Sequence, residues 1–308
     1  MSVLDTDSSP KRLLASGVEG FTGRYLREEF ASNGWEVHGF GTKVRDLAGY
    51  HRADLQDLDA LRQLVLEVKP DAVVHLAGIA FPAHHTAIDF YNAHITVTFN
   101  LLKALSEHGS GIKKVLLAST ANVYGANRDG VCHESAPLKP FNDYGVSKLA
   151  MEYMAWLWRE KLPIVIARPF NYTGVGQAAN FLLPKIVSHY AAGKKEIQLG
   201  NLHVARDYSD VRDVVKAYCL LVDCPESKGA VNVCSGHAVT VAQILEIMNR
   251  VAGYDIQVTV NPEFVRKGEI ELLVGSRERL EGLVGLCPWR SLEETLNWMF
   301  KSSVEAGE

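Results

Sequence analysis

The sequence is poor in the features that would assign a class at sight. Its five cysteines (Cys132, Cys219, Cys224, Cys234 and Cys287) are an odd number, and no CxxC pair occurs. Neither a disulfide framework nor a zinc-finger spacing is therefore written in the chain. They read as reduced thiols, an expectation that goes with a reducing, cytoplasmic setting. No apolar run approaches the length of a membrane span, and the opening MSVLDTDSSP is polar without a hydrophobic signal core. A net charge of −4, with basic stretches interleaved by acids, provides no field to gather nucleic acid or an anionic bilayer. No internal repeat or low-complexity linker appears. An anionic ligand would have to be held by a local site.

What is present fits an ordinary globular protein. With 47% hydrophobic residues in 308, the chain can bury a core large enough for one α/β unit or two coupled lobes. Strand-like and helix-like stretches alternate through the first half, the pattern of a doubly wound parallel sheet. Arg12–Ser16, Val37–Phe40, Ala72–Leu76, Val115–Ser119 and Ile164–Arg168 read as buried strands. Asp57 should cap a helix whose Leu58, Leu61, Leu64, Val65 and Val68 share one face. After about residue 170 the rhythm loosens, with helices expected over Phe181–Gly193, Val239–Gly253 and Leu292–Phe300 and a fraying tail over Lys301–Glu308. The expected architecture is α/β: a Rossmann-type domain over residues 1–170, rejoined by a segment at about 201–235, and a smaller substrate lobe over 171–308. The cleft between them is the default site.

The chemistry begins at Ser16–Gly17–Val18–Glu19–Gly20–Phe21–Thr22–Gly23, directly after the first strand. Glycines let a backbone approach a pyrophosphate closely, and the helix that follows offers free N–H groups and positive dipole. The spacing is GxxGxxG rather than the GxGxxG of the ordinary dinucleotide fold. About twenty residues further on, where an NAD-binding chain places an acid for the ribose 2′-hydroxyl, this sequence has Gly41–Thr42–Lys43–Val44–Arg45. Lys43 or Arg45 could pair with a 2′-phosphate, which favours NADP(H) over NAD(H); the alternative is that both are exposed loop charges. Asp54 and Leu55 follow the third strand, Asp54 either accepting from an adenine amino group or capping a helix. Leu76, Ala77 and Gly78 end the fourth strand in small residues along which a cofactor could pass.

Tyr144 and Lys148 stand four apart, on one helix face if that segment is helical. A neighbouring ammonium favours the phenolate and should lower the tyrosine pKa towards useful acid–base range. Upstream, a strand ends in Ser119–Thr120–Ala121–Asn122–Val123–Tyr124–Gly125, where a hydroxyl could fix a substrate oxygen for hydride transfer.

With these three elements in order, the chain resembles the extended short-chain dehydrogenase/reductase family, the NAD-dependent epimerase/dehydratase group. The resemblance implies Thr120, Tyr144 and Lys148 as catalytic residues, Lys148 also holding the nicotinamide ribose, and it implies a homodimer. The 4,6-dehydratases of the family carry an acidic pair where this chain has Ala121 and Asn122, and its epimerase-reductases carry a cysteine near this turn that is absent here. Arg168–Pro–Phe–Asn171–Tyr172–Thr–Gly–Val175–Gly–Gln177 and Gly200–Asn201–Leu–His–Val–Ala–Arg206–Asp207–Tyr208 are similar to stretches of the GDP-4-keto-6-deoxy-mannose reductases. That similarity implies that Asn122, Asn171, Lys185, Asn201, Arg206 and Arg266 surround the sugar nucleotide, with Glu269 accepting from a ribose hydroxyl. Tyr172 and Val175 depart from the His and Pro usual there, and His94 and Val97 from an Asn and a Gly. His94 reads as a packed helix histidine or a contact of the active-site water network.

The expected activity is NAD(P)H-dependent reduction of the C4 ketone of a nucleotide-linked 4-keto-6-deoxyhexose, GDP-linked by the resemblance, without a metal. Rivals are an NAD-dependent 4-epimerase of a UDP- or dTDP-sugar, a non-catalytic NADP(H)-binding regulator, and an oxidoreductase of small substrates, which would leave Arg206 and Arg266 without an anion to bind.

Overall fold

The computed structural model describes residues 10–79, 86–125, 130–265, 270–286 and 288–307. In chain order the first elements are β1 (Lys11–Ser16), α1 (Phe21–Ser32), β2 (Trp35–Gly41), β3 (Tyr50–Arg52), α2 (Leu58–Val68) and β4 (Ala72–His75). There follow α3 (Ala87–Tyr91), a π-helical turn at Asn92–Thr96, α4 (Val97–His108), β5 (Lys114–Ala118), β6 (Val131–Cys132), α5 (Asp143–Trp156) and β7 (Ile164–Pro169). The rest is β8 (Asn171–Thr173), α6 (Leu182–Ala191), β9 (Glu196–Leu199), β10 (Ala205–Asp210), α7 (Val211–Asp223), β11 (Gly229–Val233), β12 (Ala238–Thr240), α8 (Val241–Ala252), β13 (Gln257–Val260), β14 (Leu272–Gly275), α9 (Glu278–Val284) and α10 (Leu292–Glu305).

A seven-stranded sheet has the order β11-β7-β5-β4-β1-β2-β3. β1 pairs in parallel with β2 on one side and β4 on the other, so the strand order reverses at β1. This is the switch point beside which doubly wound folds bind their ligands, and the glycine segment leaves β1 there. A second sheet runs β12-β10-β14-β6 with β8 on β10, and β13 pairs with β9.

The chain forms two compact units, each assembled from three stretches. One comprises the residues up to Ala118, Ala150–Ile166 and Leu221–Gly229; the other comprises Ser119–Leu149, Ala167–Leu220 and the residues from Ala230 onward. The core of the first unit packs Leu61, Leu64 and Val65 of α2 and Leu101, Leu102 and Leu105 of α4 with Val73, Val115 and Leu117 of the sheet. α2 follows the local physics expected of it: the Asp57 carboxylate accepts from Ala60 N at 3.0 Å, and Lys69 ends the helix in the left-handed conformation before Pro70. The buried Lys114 ammonium is satisfied by main chain, donating to the carbonyls of Pro225 at 3.2 Å and Ser227 at 2.6 Å.

The second unit has two apolar clusters. One joins Leu183, Ile186, Tyr190, Ile244, Met248, Leu296 and Met299; the other joins Val123, Tyr124, Cys132, Phe170, Cys234 and Leu273. At its centre the fully buried Asp207 carboxylate accepts from Ser235 N (2.8 Å), Ser235 Oγ (2.6 Å), Gly236 N (2.9 Å) and Gly275 N (3.3 Å). One side chain thereby ties β10 to the turn after β11 and to β14.

The expected fraying of Lys301–Glu308 is corrected as far as Glu305. Helix α10 continues through Glu305, because Ser291 and Glu294 form a capping box at its start and Thr295, Leu296 and Met299 are buried along it. No helix among the described residues is long and apolar enough to cross a membrane.

Candidate active site

The first unit carries the glycine loop. Gly17 sits at φ +74°, and a Cβ there would lie 3.0 Å from Ala77 N; a Cβ at Gly23 would lie 2.2 Å from the Gly17 carbonyl oxygen and 2.4 Å from Val18 Cα. Only hydrogen at both positions lets the loop lie against the end of β4 and lets α1 start tight against the loop, leaving early helix N–H groups for an anion. The backbone is thus a cradle of the kind a dinucleotide pyrophosphate fits.

Ala77, and with it the loop of Leu76 and Gly78, is fixed from beneath by a chain of hydrogen bonds. Ala77 N–H donates to Ser16 Oγ (3.1 Å), Ser16 Oγ stands 2.7 Å from His75 Nδ1, His75 Nε2 stands 3.0 Å from Thr98 Oγ1, and Thr98 Oγ1 donates to the His94 carbonyl (2.6 Å). Because Thr98 donates its hydrogen to His94, His75 Nε2 is the donor in its contact with Thr98. His94, buried in the π-helical turn, accepts at Nε2 from Ile79 N at 3.3 Å, so its packed reading holds.

Thr42, Lys43 and Arg45 are exposed beyond the end of β2. Arg45 is bound by the carboxylate of Glu19, a residue of the glycine loop to which the sequence assigned no role. Asp54 accepts from Gln56 N at 2.9 Å, a local turn contact, and the Leu55 carbonyl accepts from Asn100 Nδ2 at 3.1 Å.

The second unit gathers the candidate acid–base residues. Thr120 ends the stretch after β5, and Tyr144 and Lys148 lie on one face of α5, where Lys148 is buried and Tyr144 half-buried. Thr120 Oγ1 accepts twice from Asn122, from its backbone N–H and from Nδ2, both at 3.2 Å. Both lone pairs are then occupied, so the Thr120 hydrogen is directed to the Tyr144 oxygen, to which it is hydrogen-bonded. Burial pushes the Tyr144 pKa up to about 12, against the lowering by Thr120, with the nearby Tyr172 phenol adding to the rise. The expected lowering is therefore corrected: enclosure by protein outweighs the stabilisation of the phenolate in this state.

Asn171 lies on β8, which pairs with β10, Asn171 standing opposite Tyr208 and Tyr172 opposite Ser209. Arg206 lies on β10 between Val239 and Leu273, its Nη1 donating to the Ala205 carbonyl at 2.9 Å. Arg212 instead chelates Asp210 at 2.9 and 2.7 Å and lies 3.7 Å from the Trp298 ring centroid, a structural ion pair. Lys185 donates to the Gln198 carbonyl (3.0 Å) and covers the Phe264 ring at 4.6 Å; Gly200 closes on the Phe264 carbonyl so tightly that a Cβ would lie 2.3 Å away. Asn201 follows in the same loop. Arg266 and Glu269 lie outside the described residues.

The geometry can be set beside known proteins. Residues 14–299 match the protein family described as GDP-mannose 4,6 dehydratase. The chain belongs to that family. Among its relatives are a GDP-6-deoxy-D-talose 4-dehydrogenase of Aggregatibacter actinomycetemcomitans (32% identical; 89% of this chain and 91% of the relative) and a GDP-6-deoxy-D-mannose reductase of Pseudomonas aeruginosa (32%; 93% and 95%). Similar solved structures include a candidate epimerase from Burkholderia cenocepacia J2315 (TM-score 0.91, 45% identity; 96% and 98%) and RMD from P. aeruginosa complexed with NADPH (TM-score 0.84, 29% identity; 96% and 98%). The fold of the family is therefore this α/β fold. Its name speaks of dehydration, yet Ala121 and Asn122 follow Thr120 here, and neither can act as an ionised acid or base.

Proposed function

We propose that this chain is a nucleotide-sugar oxidoreductase that uses NADPH in preference to NADH to reduce the C4 ketone of a 4-keto-6-deoxyhexose, GDP-linked, giving GDP-D-rhamnose or its 6-deoxy-talose stereoisomer. The observation that carries the reading is the Asn122–Thr120–Tyr144 chain of hydrogen bonds. It places at Tyr144 a phenol of pKa about 12, protonated at neutral pH, whose phenolate the Thr120 hydrogen bond stabilises.

The bound nicotinamide supplies the hydride. Reduction of a ketone leaves an alkoxide, a far stronger base than a phenolate even at this pKa, so proton transfer from Tyr144 runs downhill. Thr120 steadies the phenolate that remains, and Asn122 keeps Thr120 aimed. Lys148, one helical turn beyond Tyr144, is assigned to the nicotinamide ribose. Gly17, Gly20, Phe21, Thr22 and Gly23 are assigned to the pyrophosphate, and Lys43 and Arg45 to the 2′-phosphate. Asn171, Lys185, Asn201 and Arg206, with Arg266 and Glu269, are assigned to the sugar nucleotide. Guanidinium groups suit a diphosphate because they can bind it bidentately.

The relatives named for GDP-6-deoxyhexoses and the NADPH complex of a similar structure support this reading. The candidate epimerase from Burkholderia supports a second one, interconversion of C4 epimers with the cofactor retained. Following NADPH absorbance with GDP-4-keto-6-deoxy-D-mannose, against its UDP- and dTDP-linked analogues, separates them. Stoichiometric consumption with the GDP-sugar alone supports the reductase; C4 inversion without net consumption overturns it.

A further inference from the structure

The end of β2 is where a dinucleotide-binding unit reads the 2′ position of the adenosine ribose, and an acid there selects for the free hydroxyl. No acid follows β2 directly in this chain, yet the folded structure puts one at that point from elsewhere. A Cβ at Gly41, the last residue of β2, would lie 3.3 Å from Glu19 Oε2 and 2.6 Å from the Tyr50 hydroxyl. The Glu19 carboxylate thus comes from the glycine loop to rest over the end of the strand, with the hydroxyl of Tyr50 from β3 beside it. The other oxygen, Oε1, holds the Arg45 guanidinium.

We infer that Glu19 is a cofactor-specificity residue, which competes with a 2′-phosphate for Arg45 and so sets how strongly this protein prefers NADPH to NADH. The inference rests on the reading that the glycine loop binds a nicotinamide dinucleotide. With the ion pair intact, the carboxylate can accept from a 2′-hydroxyl while Arg45 stays where it is, which suits NADH. A 2′-phosphate needs Arg45 for itself, by a bidentate contact, and brings like charge against Glu19. Binding NADPH therefore requires Arg45 to be drawn off Glu19, with Lys43, the other cation whose field reaches Glu19, sharing the load. Arg45 is nearly half exposed, so the pair is not locked and the exchange is accessible. Arg45 also holds the Glu19 carboxyl below its usual range, so the competitor remains ionised at neutral pH.

The test measures dissociation constants of NADPH and of NADH for the full-length protein, without sugar, from the fluorescence of the reduced nicotinamide. Wild type, Glu19→Gln and Arg45→Ala are compared, with melting temperature as the folding control. Glu19→Gln keeps the size of the side chain and removes its charge; it should tighten NADPH about five- to tenfold and leave NADH no tighter, since its 2′-hydroxyl then meets only a neutral acceptor. Arg45→Ala should weaken NADPH by about tenfold and NADH far less. A preference in Glu19→Gln that stays at the wild-type ratio, or falls below it, overturns the inference, since a pair that merely fastens the loop to the strand would move both constants together. Wild-type protein that binds neither dinucleotide would bring down the reading of the loop and this inference with it. Binding of both cofactors without turnover of a GDP-sugar would bring down the proposed substrate alone.

Discussion

Replacing Tyr144 by Phe removes one oxygen and one proton from a site that is otherwise complete. In the wild type, that oxygen receives the Thr120 hydrogen. General acid catalysis by a placed side chain is worth roughly 10²–10⁴ in rate, or about 3–5 kcal/mol of barrier. The variant should therefore lose at least a hundredfold in kcat, measured as single-turnover oxidation of NADPH by the GDP-keto-sugar, with the NADPH dissociation constant close to wild type. The pH profile adds an independent constraint. A raised tyrosine pKa means the acid form persists to higher pH, and the reduced nicotinamide ring carries no positive charge to pull it down. The proton donor is fully loaded below the value of about 12, so its contribution to reduction should be flat from about pH 6 to pH 9 and be lost only as pH rises towards that value. Undiminished turnover in Tyr144→Phe would refute the assignment. A decline in wild-type kcat centred near neutrality that disappears in the variant would refute the claim that burial governs this phenol.

Other expectations follow from the same geometry. Lys43→Ala should weaken NADPH more than NADH in direct titrations; equal losses would take Lys43 away from the 2′-phosphate. Arg206→Ala should raise the dissociation constant of the sugar nucleotide at least tenfold and barely alter that of the cofactor, measured calorimetrically, because one bidentate contact to a phosphate is worth about 1.5–3 kcal/mol. Gly23→Ala forces a methyl into a space 2.2 Å from the Gly17 carbonyl; overpacking of about 1–3 kcal/mol should lower the melting temperature and weaken both cofactors, and wild-type values of both would show that the loop yields. Asp207→Ala strands four donors in the second unit. Urea unfolding should record a loss of about 3–5 kcal/mol, and a loss under 1 kcal/mol would mean that water takes over the carboxylate's role.

Much of the framework was legible from local rules. Asp57, Lys69–Pro70 and the apolar face of α2 declare a helix without reference to anything distant, and the Val/Leu/Ile strands of the doubly wound sheet declare themselves by being covered on both faces. The glycines at 17, 20 and 23 and the four-residue step from Tyr144 to Lys148 are likewise written at short range. What could not be read depends on neighbours brought together by folding. Glu19 meets Arg45 and Tyr50 only because β1 and β2 lie side by side, so an acid near the 2′ position is invisible to any search at the end of β2. The Tyr144 pKa was expected to follow its helical neighbour Lys148, but burial in the fold decides it, with a smaller electrostatic push from the distant Tyr172. The role of Asn122 as the residue that aims Thr120 needed coordinates, since two residues in sequence do not disclose which lone pairs are filled. Residues 301–305 were read as a tail from their polarity, whereas helical continuity is set by the cap and buried face upstream.

The Lys114 ammonium has a practical consequence for anyone wishing to cut this protein in two. Its carbonyl acceptors, at Pro225 and Ser227, arrive more than a hundred positions later, on the short return stretch Leu221–Gly229. A truncation ending near residue 170 would remove both acceptors with the return stretch of the first unit, and the complementary fragment would lack the stretch bearing Thr120 and Tyr144. Neither half is a portable module, and split-reporter or domain-swap engineering of this chain has to keep all three stretches of each unit together.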